Sequence, residues 1–127
     1  MAKGAAGSVT SSEPPGGPVL DPATTVELKS LAKELGEHFL PELRGRFLEH
    51  AAAHLDAFES ALERGDGEAL RSGAHRLRGG CAAMGAVRMA AACSRLYDAQ
   101  EEHAELAPLV ASLRAELGAV RAAFEAA

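Results

Sequence analysis

His75 has the most chemically suggestive surroundings in the chain. Arg78 lies three residues on, Gly79 four on and Ala82 seven on, with Ser72 three before and Arg71 four before. Spacings of three and four share one face of an α-helix. A histidine, two guanidinium groups and two small residues would therefore be presented together. Such a face suits an anion or an acidic partner, because it offers positive charge and little side-chain bulk around an imidazole. A second spacing offers different chemistry. His50 and His54 stand four apart, a separation that lets two imidazoles on one helix face chelate a metal. Against that, di-iron bundles use Glu-x-x-His pairs, and no histidine here has a glutamate three residues before it. Surface or boundary positions are the plainer reading of His50 and His54, as they are of His38 and His103.

Charge is unevenly spread. The chain carries a net −5, yet the window from Arg64 to Arg95 holds six arginines and two acids, a net of +4, leaving −9 elsewhere. The overall acidity argues against a nucleic-acid binder, and the local excess of arginine marks the His75 region as the place where an anion or acidic partner would be met. No apolar run approaches the roughly 20 residues needed to span a bilayer. The N-terminus MAKGAAGSVT has no apolar core of the kind that signal peptides carry. Cys81 and Cys93 both fall inside helical patterns and read as reduced, packed thiols of a cytoplasmic protein, with a single disulfide as the alternative.

The elements that must position His75 follow from periodicity. At 127 residues the chain can hold one domain with a real core. Residues 1–20 are rich in Gly, Pro, Ser and Ala and read as a disordered tail or linker, so the domain is expected over 21–127. A short helix is expected at about 24–35, with Leu28, Leu31 and Leu35 on one side and Gly36 as its stop. Leu40, Leu43, Phe47, Ala51, Leu55, Phe58 and Leu62 mark a long helix over about 40–63. After the break Arg64-Gly65-Asp66-Gly67, with Asp66 as N-cap, a third helix covers about 67–83. A fourth, with Val87, Met89, Cys93 and Leu96, covers about 86–102. A fifth starts near Pro108 and repeats Leu109, Leu113, Leu117, Val120 and Phe124. The expected fold is all-α: an antiparallel up-down-up-down four-helix bundle capped by the first short helix.

On a wheel of 100° per residue, Leu70, Leu77, Cys81 and Met84 fall opposite His75, flanked by Ala74. Arg71, Ser72, Arg78, Gly79 and Ala82 fall around it. The histidine should therefore face solvent. Each helical glycine costs roughly 0.8–1 kcal/mol relative to alanine, so Gly79 on the exposed face asks for a reason. Its lack of bulk would let another surface reach the imidazole. Gly73 and Gly80 lie towards the core side, where close helix–helix contact is the expected reason.

The stretch HRLRGGCAAMGA resembles the signature of histidine-containing phosphotransfer domains, His-x-Leu-Lys-Gly followed by a small-residue turn and Gly-Ala. His75, Leu77, Gly79, Gly85 and Ala86 fill matching positions. Leu20-Asp21-Pro22, Phe47-Leu48-Glu49, Asp66 to Leu70 and Cys93 to Leu96 extend the resemblance over roughly 20–127. The family's usual lysine is Arg78 here, a planar fork rather than a mobile point charge. Tyr97 stands where many members carry glutamate and is given no role.

The resemblance implies a relay. His75 would accept a phosphoryl group through Nε2 from the aspartate of one receiver domain and pass it to another. The chemistry suits imidazole, whose ordinary titration near 6.5 leaves it mostly neutral and nucleophilic at pH 7. Arg78 would supply charge, and Arg71, Ser72, Gly79 and Ala82 would form the docking face. The partners would be receiver domains of hybrid sensor kinases and response regulators, which would bring the Mg²⁺. The chain itself would need no cofactor or metal, would act as a monomer in the cytoplasm, and would touch neither nucleic acid nor membrane. No nucleotide-binding pattern is present in the sequence, so neither ATP hydrolysis nor self-labelling from ATP is expected. The rivals are a receiver-docking adaptor that no longer relays phosphate, a metal-binding helical bundle, and a histidine-kinase dimerisation pair. The last usually places an acid after the histidine, where this chain has Arg76. The initiating methionine and the full set of helices favour a free-standing protein over an excised domain.

Overall fold

The computed structural model describes residues 17–99 and 106–126. Among them are five α-helices and no strand: α1 Pro22–Leu35, α2 Phe39–Arg64, α3 Gly67–Met84, α4 Val87–Asp98 and α5 Leu106–Ala126. α3 packs on α2 and α4, and α5 packs on α4 and α2, which closes a four-helix ring. The links Gly65–Asp66 and Gly85–Ala86 are hairpin-short, so the helices they join run antiparallel. α1 lies against α2 and α3 outside the ring. The all-α, antiparallel four-helix bundle with a short N-terminal helix is the fold expected from the sequence.

Local chemistry sets the helix ends that orient α3. Gly65 takes φ +68° and donates its N–H to the last carbonyls of α2, Ala61 and Leu62. That left-handed conformation is open to glycine at little cost. Asp66 then caps α3, its carboxylate accepting from the Ala69 N–H at 3.1 Å. This bond, with a further one from Arg64, holds the Asp66 carboxyl below the usual carboxylate range. At the other end Gly85 takes φ +76°, and a Cβ there would press on the Thr24 side chain. The Asp21 N–H donates to the Gly85 carbonyl at 2.7 Å, which ties the start of α1 to the end of α3.

The core forms where the periodicity put it. Phe47, Ala51, Leu55 and Phe58 of α2 are buried with Leu70, Ala74, Leu77, Cys81 and Met84 of α3, Met89, Cys93 and Leu96 of α4, and Leu113, Leu117, Val120 and Phe124 of α5. Cys81 and Cys93 are free thiols. The hydrogen bond between them, followed by burial, pushes the Cys81 thiol far above its ordinary range, which fits inert packing groups.

Several details differ from expectation. α1 starts at Pro22 and α5 at Leu106, each two residues early, with the proline inside the first turn, where its missing N–H costs nothing. α4 ends at Asp98, four residues short; His103 lies outside the described residues. α1 has no buried residue: Leu28 is half-buried, while Leu31 and Leu35 are exposed. Val87 is also exposed. Glu116 of α5 is buried at 3% exposure and accepts from Arg88 of α4 at 3.1 Å, an ion pair the sequence reading did not anticipate.

Candidate functional site

α3 presents His75 on its exposed face, opposite the buried stripe of Leu70, Leu77, Cys81 and Met84. Arg71, Ser72, Arg78, Gly79 and Ala82 are exposed on the same helix. Beyond its own helix backbone and chain neighbours, a Cβ added at Gly79 would meet no atom of the described residues within 4 Å. The space beside the imidazole on that side is therefore open. Gly73 is the opposite case, since a Cβ there would overlap the ring of Phe58. It permits the close α2–α3 approach assigned to it. Gly80 does not serve that purpose: it is exposed, and a Cβ would make only ordinary contact with Phe47, at 3.9 Å. The 100° spacing leaves it at the rim of the interface, not inside it.

The residues expected around His75 divide into two flanks. Towards the N-terminus of α3, a shallow depression of about 310 Å³ is lined by Glu68, Arg71, Ser72, His75, Arg76 and Tyr97. Towards the C-terminus, Arg78, Gly79 and Ala82 form an open slope outside that depression. Arg78 donates to Ser94 Oγ of α4 at 3.4 Å, so its guanidinium is directed across the α3–α4 seam. Arg71 is directed across the same seam, with its guanidinium carbon 4.7 Å from the centre of the Tyr97 ring and Nη2 donating to the Tyr97 hydroxyl at 3.1 Å.

Tyr97 is the member of the site that sequence reasoning missed. Its ring lies 5.9 Å from the His75 ring, tilted by 43°. The signal was present in the hairpin: Tyr97 follows Ala86 by eleven residues, as His75 precedes it by eleven, and Ser94 and Arg78 are each eight away. An antiparallel pair turning at Gly85–Ala86 must bring these residues level.

His50 and His54 sit elsewhere. They line a separate groove of about 340 Å³ between α2 and α3, beside Arg46 and Arg76 and above Phe47, Leu77 and Met84. The His54 ring lies 6.0 Å from Phe58. Burial, then the nearby charges of Arg76 and His50, hold its imidazole below the ordinary histidine range. Among the described residues no three His, Cys, Asp or Glu side chains are grouped to hold a metal ion.

This outward histidine, on the second helix of a four-helix ring and followed by an open glycine, is the arrangement of a phosphotransfer bundle. The Hpt domain family model matches residues 42–123, and the chain belongs to that family, the histidine-containing phosphotransfer domains. Among solved structures it is similar to histidine-containing phosphotransfer protein B (HptB) from Pseudomonas aeruginosa PAO1. The TM-score is 0.77 at 28% identity, covering 87% of this chain and 94% of that one. No curated protein matches the chain. The chain is thus a histidine phosphotransfer protein of the phosphorelay type. No helix among the described residues is long and apolar enough to cross a membrane.

Proposed function

We infer that His75 is the phosphoacceptor and that it relays phosphoryl groups between receiver domains of hybrid sensor kinases and response regulators. The observation that carries this reading is the position of His75: exposed on α3, backed by a buried apolar stripe, and bordered by a glycine with no described residue over it. In the forward step the Nε2 lone pair forms the N–P bond while the P–O bond to the receiver aspartate breaks and the carboxylate leaves. The reverse sequence delivers the group to a second receiver. Stabilisation of such a transfer is chiefly positional and electrostatic. Arg78 supplies positive charge on the His75 face. The receiver supplies Mg²⁺ and the acidic pocket, so this chain needs no cofactor of its own.

Gly79 and Ala82 give the receiver room to reach the ring, and Ser72 and Arg71 border the opposite side. On this reading one bundle carries a complete His75 face, and the chain works as a monomer in the cytoplasm. The test is incubation with a panel of phosphorylated receiver domains, followed by mapping of the acid-labile, base-stable label. Label at His75, transferable to a second receiver, is expected. Binding of receivers without labelling would favour a non-relaying adaptor instead.

A further inference from the structure

An imidazole on an exposed helix face has two rotatable bonds and little to hold them. Transfer in line to phosphorus demands a fixed nitrogen direction, and small misplacements are costly. On α3 itself the positions that flank His75 towards the C-terminus are Arg78, whose guanidinium is directed to Ser94 of α4, and Gly79 and Ala82, which are too small to fix a ring. The contact comes from α4. The Tyr97 ring lies 5.9 Å from the imidazole at a 43° tilt, within the range in which aromatic pairs attract.

Tyr97 is itself held. Its neighbours on α4, Leu96 and Cys93, are fully buried, so its backbone is anchored in the core. Its ring is covered by the Arg71 guanidinium, and its hydroxyl accepts from the same group. Arg71 stands one turn before His75 on α3, so strut, tyrosine and histidine form a closed α3–α4–α3 arrangement.

Resting on the reading of His75 as acceptor, we propose that Tyr97 is a positioning residue that fixes the His75 ring through aromatic contact, with Arg71 as the strut that fixes Tyr97. This gives Arg71 a role distinct from receiver docking. It also explains how one side of the imidazole is held while the Gly79 side stays open to a partner.

The test uses the full chain and phosphoramidate, a small donor that needs no receiver. The Nε2 lone pair forms the N–P bond as the donor's P–N bond breaks and its protonated amino group leaves as ammonia. Proton–carbon NMR of the His75 ring, assigned with His75→Gln, reads the ring-current shift that Tyr97 imposes. Tyr97→Phe should keep that shift and label at a rate within about twofold of the parent, since the ring remains. Tyr97→Leu should lose the shift and label about tenfold more slowly, with an unchanged melting temperature. Arg71→Gln should move the His75 resonances and slow labelling to a smaller extent, and it decides the matter if Tyr97→Leu does not fold. Parental labelling in Tyr97→Leu, or parental resonances in either Tyr97→Leu or Arg71→Gln, would overturn the proposal. A parent chain that takes no label at His75 would instead overturn the acceptor reading.

Discussion

Gly73 and Gly79 are six residues apart on α3 and have opposite surroundings. Gly73 faces inward, where a single methyl would overlap Phe58; Gly79 faces outward, where beyond its own helix it would touch none of the described residues within 4 Å. The first is needed by the fold, because α2 and α3 could not approach so closely around a side chain. The second has no structural justification, and in a helix it costs about what any exposed glycine costs. The same division runs through the charged residues. Arg88 neutralises the buried carboxylate of Glu116, whereas Arg78 is exposed and reaches the Ser94 hydroxyl. In these two pairs the inward residue serves packing, and the outward one lies on the face proposed to meet a receiver.

The largest effect that would break this comparison lies at Gly79. Gly79→Gln places a side chain against the imidazole, and transfer from a phosphorylated receiver should fall on the order of a hundredfold, as expected for loss of productive geometry. Its melting temperature should hold or rise, because glutamine is a good helix former. A variant that unfolds early, or that transfers normally, would erase the distinction between the two glycines. Next is Arg88→Ala, which leaves the Glu116 carboxylate buried without a partner. Chemical denaturation should show a loss of about 3 kcal/mol, the low end for breaking a buried pair, because Arg88 retains 22% side-chain exposure.

Gly73→Ala and Gly79→Ala form a matched pair that sharpens the contrast. The inward change overpacks Phe58 at about 1–3 kcal/mol, offset in part by the helix preference of alanine of about 1 kcal/mol. The outward change should stabilise by up to about 1 kcal/mol. Opposite signs in thermal melts are expected; equal signs would contradict the assigned faces. The smallest effect on stability belongs to Arg78→Ala, below about 0.5 kcal/mol for an exposed charge, yet this variant should slow transfer at low ionic strength. Unchanged kinetics there would remove Arg78 from the proposed site.

How much of this was legible in the sequence depended on whether one helix sufficed. The buried stripe of α3 and the outward turn of His75 follow from 3.6-residue periodicity alone, and all four residues placed opposite His75 are buried. The Asp66 cap was equally local. What stayed hidden needed two helices at once. Arg88 looks like a surface residue on its own wheel, and Glu116 falls on the apolar stripe of α5, three after Leu113 and four before Val120; only the α4–α5 pairing supplies the cation that makes a carboxylate tenable there. Tyr97 was passed over because its contact with His75 is set by the register of the α3–α4 hairpin. Leu31 and Leu35 taught the converse. Periodicity shows that leucines share a face, but a neighbour must cover that face, and on α1 none of the described residues does so fully.

The most direct measurement is the fate of the label in His75→Gln. The site is exposed, so the variant should keep its helix content by circular dichroism. Incubated with a phosphorylated receiver that labels the parent chain, it should take up no acid-labile, base-stable phosphate, while His50→Gln and His54→Gln label as the parent does. Label that persists in folded His75→Gln would contradict the account.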